Sequence, residues 1–263
     1  MNFIKAQIIA HTNTNILKMI ADATRITFRK DNPFTKNQEL ITNADKTIVD
    51  NLIFADHSPL EMGDVTILLT GISKSFLAQW TRHRLASYVS SSMHYVNQDE
   101  YTIDKTIPQF VVPFEVYQKC EENNSIEPLN DFLEAYQYSH NQYLNMQVKW
   151  NLHHSVTRYI ENQALRGTLL IKMNVREWLV ALGRRLCHRN VGEAAFNSWL
   201  MRNELINYCP EIFQYAVPPC RRYGKCSEYK LSCGKKWNEQ EENNKWNELI
   251  QLANKWYQLY LQK

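Results

Sequence analysis

Residues 79–95 read Gln79-Trp80-Thr81-Arg82-His83-Arg84-Leu85-Ala86-Ser87-Tyr88-Val89-Ser90-Ser91-Ser92-Met93-His94-Tyr95. Two arginines flank a histidine, and a run of serines follows. A guanidinium presents a planar fork of donors that fits phosphate oxygens, and hydroxyls and loop N–H groups add to it. The block therefore has the chemistry of an anion site, with phosphate the natural ligand. A basic helix C-terminus favoured by the macrodipole accounts for the same residues. Physics alone leaves both readings open.

Upstream of the block, Val65–Gly71 is β-branched and apolar and predicts a buried strand. Ser73 can cap a helix through Phe76, Leu77 and Trp80 toward Arg84. Residues 87–106 fit no period and predict a loop. Further out, strands are predicted at 2–9 and Thr168–Met173, with helices at 14–27, 46–55, 175–187 and 193–208. The aromatic-rich stretch 127–164 predicts a long helix that would contain His153 and His154 on different faces. Residues 216–240 are an irregular Cys-rich lobe and 241–263 an amphipathic helix. No repeat or linker divides the chain, so one domain over 1–263 is expected, an α/β (α+β) fold with a central, mostly antiparallel sheet flanked by helices.

The 263 residues carry 30 Lys+Arg against 27 Asp+Glu, a formal charge of +3, and 44% hydrophobic residues. That is enough for a sizeable core, and it excludes disorder as the main state. The charge is too small to argue for nucleic acid. No apolar run approaches the roughly 18 residues of a membrane span. Only seven glycines are present, and neither G-x-G-x-x-G nor a P-loop occurs. The N-terminal residues lack a long apolar run and a small-residue cleavage site, so a cytoplasmic, reducing location is expected and the cysteines are read as thiols or metal ligands.

The sequence resembles the flavin-dependent thymidylate synthases. Their signature R-H-R-x-x-S-x-N-x-x-S-x-R-Y is similar to Arg82–Tyr95. Ile20-Ala21-Asp22-Ala23-Thr24-Arg25 resembles the family's first helix. Ser58-Pro59-Leu60-Glu61 matches its S-P-L-E segment, and Asn174-Val175-Arg176-Glu177 its N-x-R-E turn. Arg184-Arg185-Leu186-Cys187 and Trp199-Leu200-Met201-Arg202 resemble its R-x-R-L-C and Q-W-E-I-R segments. These segments occur in the family's order over residues 3–235.

The resemblance implies transfer of a methylene from methylenetetrahydrofolate to C5 of dUMP, with FAD as hydride source and NADPH as its reductant. It implies that Arg82, His83, Arg84, Ser58, Glu61, Asn174 and Arg176 hold the flavin. It gives dUMP to Gln79, Ser90, Ser91, Ser92, His94, Arg158 and Arg202, with Arg202 and Ser92 in the catalytic roles. It also implies a homotetramer with sites between subunits. Val89 and His94 depart from the pattern, standing where the family has Asn and Arg. Exchanging a guanidinium for an imidazole removes a permanent charge and its fork, and a lost charge-assisted bond costs about 1.5–3 kcal/mol. Hydroxymethylation, or another pyrimidine nucleotide, therefore stays an alternative. So does a non-catalytic nucleotide- or RNA-binding relative that uses Arg82, Arg84, Arg221 and Arg222, although no compact aromatic and basic stripe is present.

Five of the six cysteines lie after residue 186. Cys187-His188 is similar to the Pro-Cys-His nucleophile of the unrelated thiolate-dependent thymidylate synthases, but the proline is missing. Cys220, Cys226 and Cys233 lack a C-x2-C knuckle. With Cys187 they could close a tetrahedral zinc site that pins the lobe to the core, or remain plain thiols.

Overall fold

The computed structural model describes residues 4–12, 15–35, 40–98, 109–190 and 192–262. Four strands, β1 (Lys5–His11), β2 (Asp64–Ser73), β3 (Ala86–Ser90) and β4 (Arg166–Asn174), form one antiparallel sheet in the order β1-β2-β4-β3. The expected α+β architecture is present. In the two central strands Val65, Ile67 and Leu69 stand directly opposite Met173, Ile171 and Leu169, and all six are buried. Cross-strand pairs of this kind fix the register, because a slip of one residue would turn every one of them outward. Gly71 sits at φ 79° where the β2–β4 register shifts. That left-handed bulge costs glycine little and delivers the chain to Ser73.

Helices cover the buried face. These are α1 (Ile16–Arg25), α2 (Asn43–Ala55), α3 (Lys74–Trp80), α7 (Val175–Arg185) and α8 (Gly192–Tyr208). Their Ile20, Ile53, Phe76, Trp178 and Met201 join the sheet residues in one core. On the other face Leu68 and Leu170 are only half-buried and Val89 and Lys172 are exposed. Around this frame lie α4 (Phe114–Glu122), α5 (Glu127–Trp150), α6 (His154–Thr157), α9 (Pro210–Phe213), α10 (Pro219–Arg222) and α11 (Glu239–Leu261).

Helix α1 is bound to α2 by buried ion pairs. Lys18 reaches Asp22 at 3.1 Å and Asp45 at 3.3 Å, and Arg25 reaches Asp22 at 2.7 Å and Asp45 at 2.5 Å. Burial alone would raise the Asp45 carboxyl. The Thr42 hydroxyl and N–H, with Arg25, overcome that and pull it down to about 2. Thr42 and Asp45 also form a capping box, which starts α2 three residues before the predicted helix.

Three sequence expectations need correction. Residues 86–90 are not loop but an edge strand, and residues 99–106 of the predicted loop lie outside the described residues. Helix α5 ends at Trp150 because Asn151 adopts φ 50°. His153 and His154 accordingly lie at the start of α6, their rings 4.0 Å apart, and not in one long helix. Helix α3 stops at Trp80, so the Arg-His-Arg triplet follows the helix on a turn.

Candidate active site

The end of α3 sets the Arg-His-Arg turn against the C-terminus of α7. His83 is 7% exposed. Its ring lies 5.3 Å from that of Trp80. Arg185 donates from Nε to His83 Nε2 at 3.1 Å and from a terminal nitrogen to the Gln79 carbonyl at 2.6 Å. Because Nε2 accepts, the ring proton sits on Nδ1, which faces Glu177 at 3.5 Å. The Tyr88 hydroxyl donates to the His83 carbonyl at 2.9 Å. His83 is thus a buried pivot. Arg82 and Arg84 project into solvent with no partner among the described residues. Burial lowers the Arg185 guanidinium below its ordinary value.

Asn174 ends β4 and caps α7, accepting from the Glu177 N–H at 2.8 Å. The cap aims Arg176 at the turn beginning with Ser58. Arg176 donates to both carboxylate oxygens of Asp56, at 2.9 and 3.0 Å, and to Glu61 at 2.7 Å. The bonds from Asp56, then Glu61, raise the arginine above its usual range. Arg176 in turn lowers Asp56. Asp56 holds the left-handed conformation, φ 53°, that turns α2 into this segment. Ser58, Glu61, Asn174 and Arg176 therefore share one end of the sheet with Arg82–Arg84, since Ala86 pairs with Met173.

The serine run lies at the other end of β3, where Ser90 pairs with Leu169. At the roughly 3.3 Å rise of a strand this is about 13 Å from Ala86. The Ser91 N–H donates to the Thr168 carbonyl at 3.0 Å, and its hydroxyl accepts from the Thr168 N–H at 3.1 Å. Lys74 donates to the Ser91 carbonyl at 3.2 Å, and burial lowers its ammonium. The Ser92 hydroxyl accepts from the His94 N–H at 3.2 Å. His154 bonds the His94 carbonyl at 3.0 Å, and α6 thereby carries Arg158 toward the same side. Gln79 stands at the Arg-His-Arg end, away from the serines.

Arg202 lies inside the chain, beneath its C-terminal segment. It is 1% exposed. Trp237 lies over its guanidinium at 5.3 Å, and Glu239 accepts from it at 2.8 Å. Among the described residues its Nε has no hydrogen-bond partner. The C-terminal segment covers this side chain. Arg185, quoted above only within a resemblance, is the guanidinium that joins His83 and Gln79. The sequence signal was its position at the C-terminal end of the helix that Asn174 begins. Only the tertiary fold sets that end against the Arg-His-Arg turn.

The four cysteines named above as ligands gather at one place. Cys187, Cys220, Cys226 and Cys233 line a cavity of about 220 Å³. Among the described residues no three His, Cys, Asp or Glu donors close on one point. Burial raises the Cys187 thiol, and the neighbouring thiols of Cys233, Cys220 and Cys226 act in the same direction.

Residues 7–211 match the family model described as thymidylate synthase complementing protein. The chain belongs to that family. A flavin-dependent thymidylate synthase of Thermococcus onnurineus is 28% identical over 201 residues, covering 74% of this chain and 77% of the relative. One of Clostridium tetani is 25% identical over 245 residues, covering 88% and 94%. The flavin-dependent thymidylate synthase of Helicobacter pylori, solved with FAD and dUMP, superposes with a TM-score of 0.61 at 15% identity, over 81% of this chain and 99% of that one. A UMP/dUMP methylase of Streptomyces cacaoi, bound with 5-Br dUMP, gives a TM-score of 0.62 at 13% identity, over 81% and 93%. At such identities the likeness is one of fold. Among the described residues no helix is long and apolar enough to cross a membrane.

Proposed function

We propose that the chain is a flavin-dependent methyltransferase that moves a one-carbon unit from methylenetetrahydrofolate to C5 of dUMP, giving dTMP, with NADPH reducing the FAD. The observation that carries this reading is the Arg-His-Arg turn. Arg82 and Arg84 are exposed and unpartnered among the described residues, on either side of a buried His83 held by Arg185. Two unengaged guanidiniums on one rigid turn suit a pyrophosphate, which is what FAD carries. FAD bound there supplies the hydride chemistry, which the protein must orient. Ser58, Glu61, Asn174 and Arg176, on the same end of the sheet, would hold the remainder of the cofactor. Arg185 is a fixed, partly desolvated cation between Gln79 and His83. A cation of that kind stabilises charge developing on a pyrimidine ring, and the role assigned to Arg202 on sequence belongs better to Arg185. Ser90, Ser91, Ser92, His94 and Arg158 would grip the nucleotide.

The two groups of residues lie at opposite ends of β3, and the family resemblance implies that neighbouring chains complete each site. Assembly as a homotetramer supplies them. The open edge of β3 and the exposed side chains of Val89, Tyr95, Val148, Trp150 and Tyr159 favour such an interface.

Val89 and His94 favour a second reading, in which the nucleotide is another pyrimidine or the product is hydroxymethylated. Mass spectrometry of the product formed from FAD, NADPH, methylenetetrahydrofolate and dUMP tests both. A methylated product is expected. A hydroxymethylated product moves the assignment to the sister reaction. A colourless protein that takes up no FAD and leaves dUMP unchanged overturns the enzymatic reading. If dUMP is the substrate, His94→Arg should tighten it by about 10-fold or more, from the 1.5–3 kcal/mol of a charge-assisted bond. Unchanged affinity in an equilibrium titration counts against dUMP.

A further inference from the structure

The C-terminal lobe has no core of its own. From residue 219 to 236 no side chain is buried. The backbone there turns through left-handed conformations at Gly224, Tyr229 and Gly234, and its only regular pieces are α10 and a single turn at Tyr229–Leu231. Ordering such a segment costs about 1–2 kcal/mol per residue, and apolar burial does not offset that here. A cross-link is the usual remedy for a coreless lobe. The cysteines are free thiols, not disulfides.

Within this lobe one cavity of about 220 Å³ is lined by Cys187 from the loop after α7, by Cys220 from α10 and by Cys226 and Cys233 from the segment before α11. The two remaining cysteines, Cys120 and Cys209, are buried and are not among its lining residues. His188 is in the same wall. Its Nδ1 meets Glu242 at 3.1 Å, and its Nε2 is buried with no hydrogen-bond partner among the described residues. Arg189, Lys235 and Lys236 also line the cavity.

We propose that Cys187, Cys220, Cys226 and Cys233 form a tetrathiolate site for zinc, which ties the lobe to the end of α7. Zinc prefers four ligands in a tetrahedron, with sulfur at about 2.3 Å. The open arrangement of the thiols implies that binding draws the segment between α10 and α11 inward. The reaction balances as one Zn²⁺ and four thiols giving a tetrathiolate of charge −2 and four protons, with no oxidant required. Arg189 and Lys236 line the same wall and offset part of that charge, while Lys235 pairs with Glu241 at 2.9 Å and Glu228 adds a carboxylate. The site is independent of the flavin chemistry, so its test measures metal and not turnover.

The full-length chain, purified without chelator, should carry one zinc per chain by mass spectrometry of the metals. Serine substitution of any of the four ligands should remove the metal, while Cys120→Ser should keep it. Where a ligand variant does not fold, the wild-type chain still decides. Titration with a thiol mercurial should release zinc to a colorimetric chelator in step with modification of four thiols. A metal-free chain whose melting temperature does not rise on adding zinc overturns the site. Iron with acid-labile sulfide overturns zinc as its metal. Loss of metal in His188→Gln with retention in Cys187→Ser overturns the four-thiol ligand set.

Discussion

Arg185 and Arg202 illustrate how two arginines of similar sequence context come to do different work. Arg185 bonds His83 and the Gln79 carbonyl beside the exposed Arg82 and Arg84. Arg202 is sealed beneath Trp237 and Glu239. Arg185→Ala should therefore lower turnover by about 10–100-fold, the scale of one charge-assisted bond, and lower the melting temperature a little because the buried His83 loses that partner. Arg202→Ala should lower the melting temperature, because its guanidinium anchors the C-terminal segment. A stable but inactive Arg202→Ala enzyme would restore the substrate role read from the sequence. Part of the layout was legible in the linear chain: Asn174 and Arg176 follow a strand, as read from their segment, whereas the Arg-His-Arg triplet lies beyond the helix expected to reach Arg84. What Arg202 touches was not, because a cover contributed from residues 237–239 has no signal in the helix that carries it.

At the scale of elements, the periodic segments were the readable ones. β2 and β4 alternate buried apolar residues and were foreseen nearly to their ends. β3 was missed because Ser87, Val89 and Ser90 face solvent on an edge strand, where no burial imposes alternation. The long helix was overextended because only the left-handed conformation of Asn151 stops it. Capping gives a measurable consequence. Asn174→Ala removes the acceptor for the Glu177 N–H and should cost about 1 kcal/mol in urea unfolding; a smaller loss than a few tenths would mean the cap is dispensable. The buried ion pairs joining α1 and α2 give another. Asp45→Asn leaves the buried Lys18 and Arg25 sharing the single carboxylate of Asp22 and should cost about 3 kcal/mol. The Asp45 carboxyl falls to about 2 in the folded chain, against about 3.9 unfolded. Its contribution is complete above the unfolded value and is lost as pH falls toward 2. Wild type should lose stability over that interval, and Asp45→Asn should lose less of it. Parallel acid titrations of the two proteins would sink the assignment.

The whole molecule presents one covered and one half-open sheet face, and among the described residues β3 pairs on one side only. Val148 is 87% exposed on α5. Val148→Glu should shift sedimentation toward smaller species while leaving far-ultraviolet circular dichroism unchanged; an unaltered mass would put the interface elsewhere. The position of the two residue groups at opposite ends of β3 has a genetic consequence. A chain crippled at Arg84 still carries sound serines, and a chain crippled at Ser92 still carries a sound Arg-His-Arg turn. If neighbouring chains complete each other, two such defective alleles expressed in one cell would rescue growth that neither supports alone, through mixed assemblies that contain some intact sites.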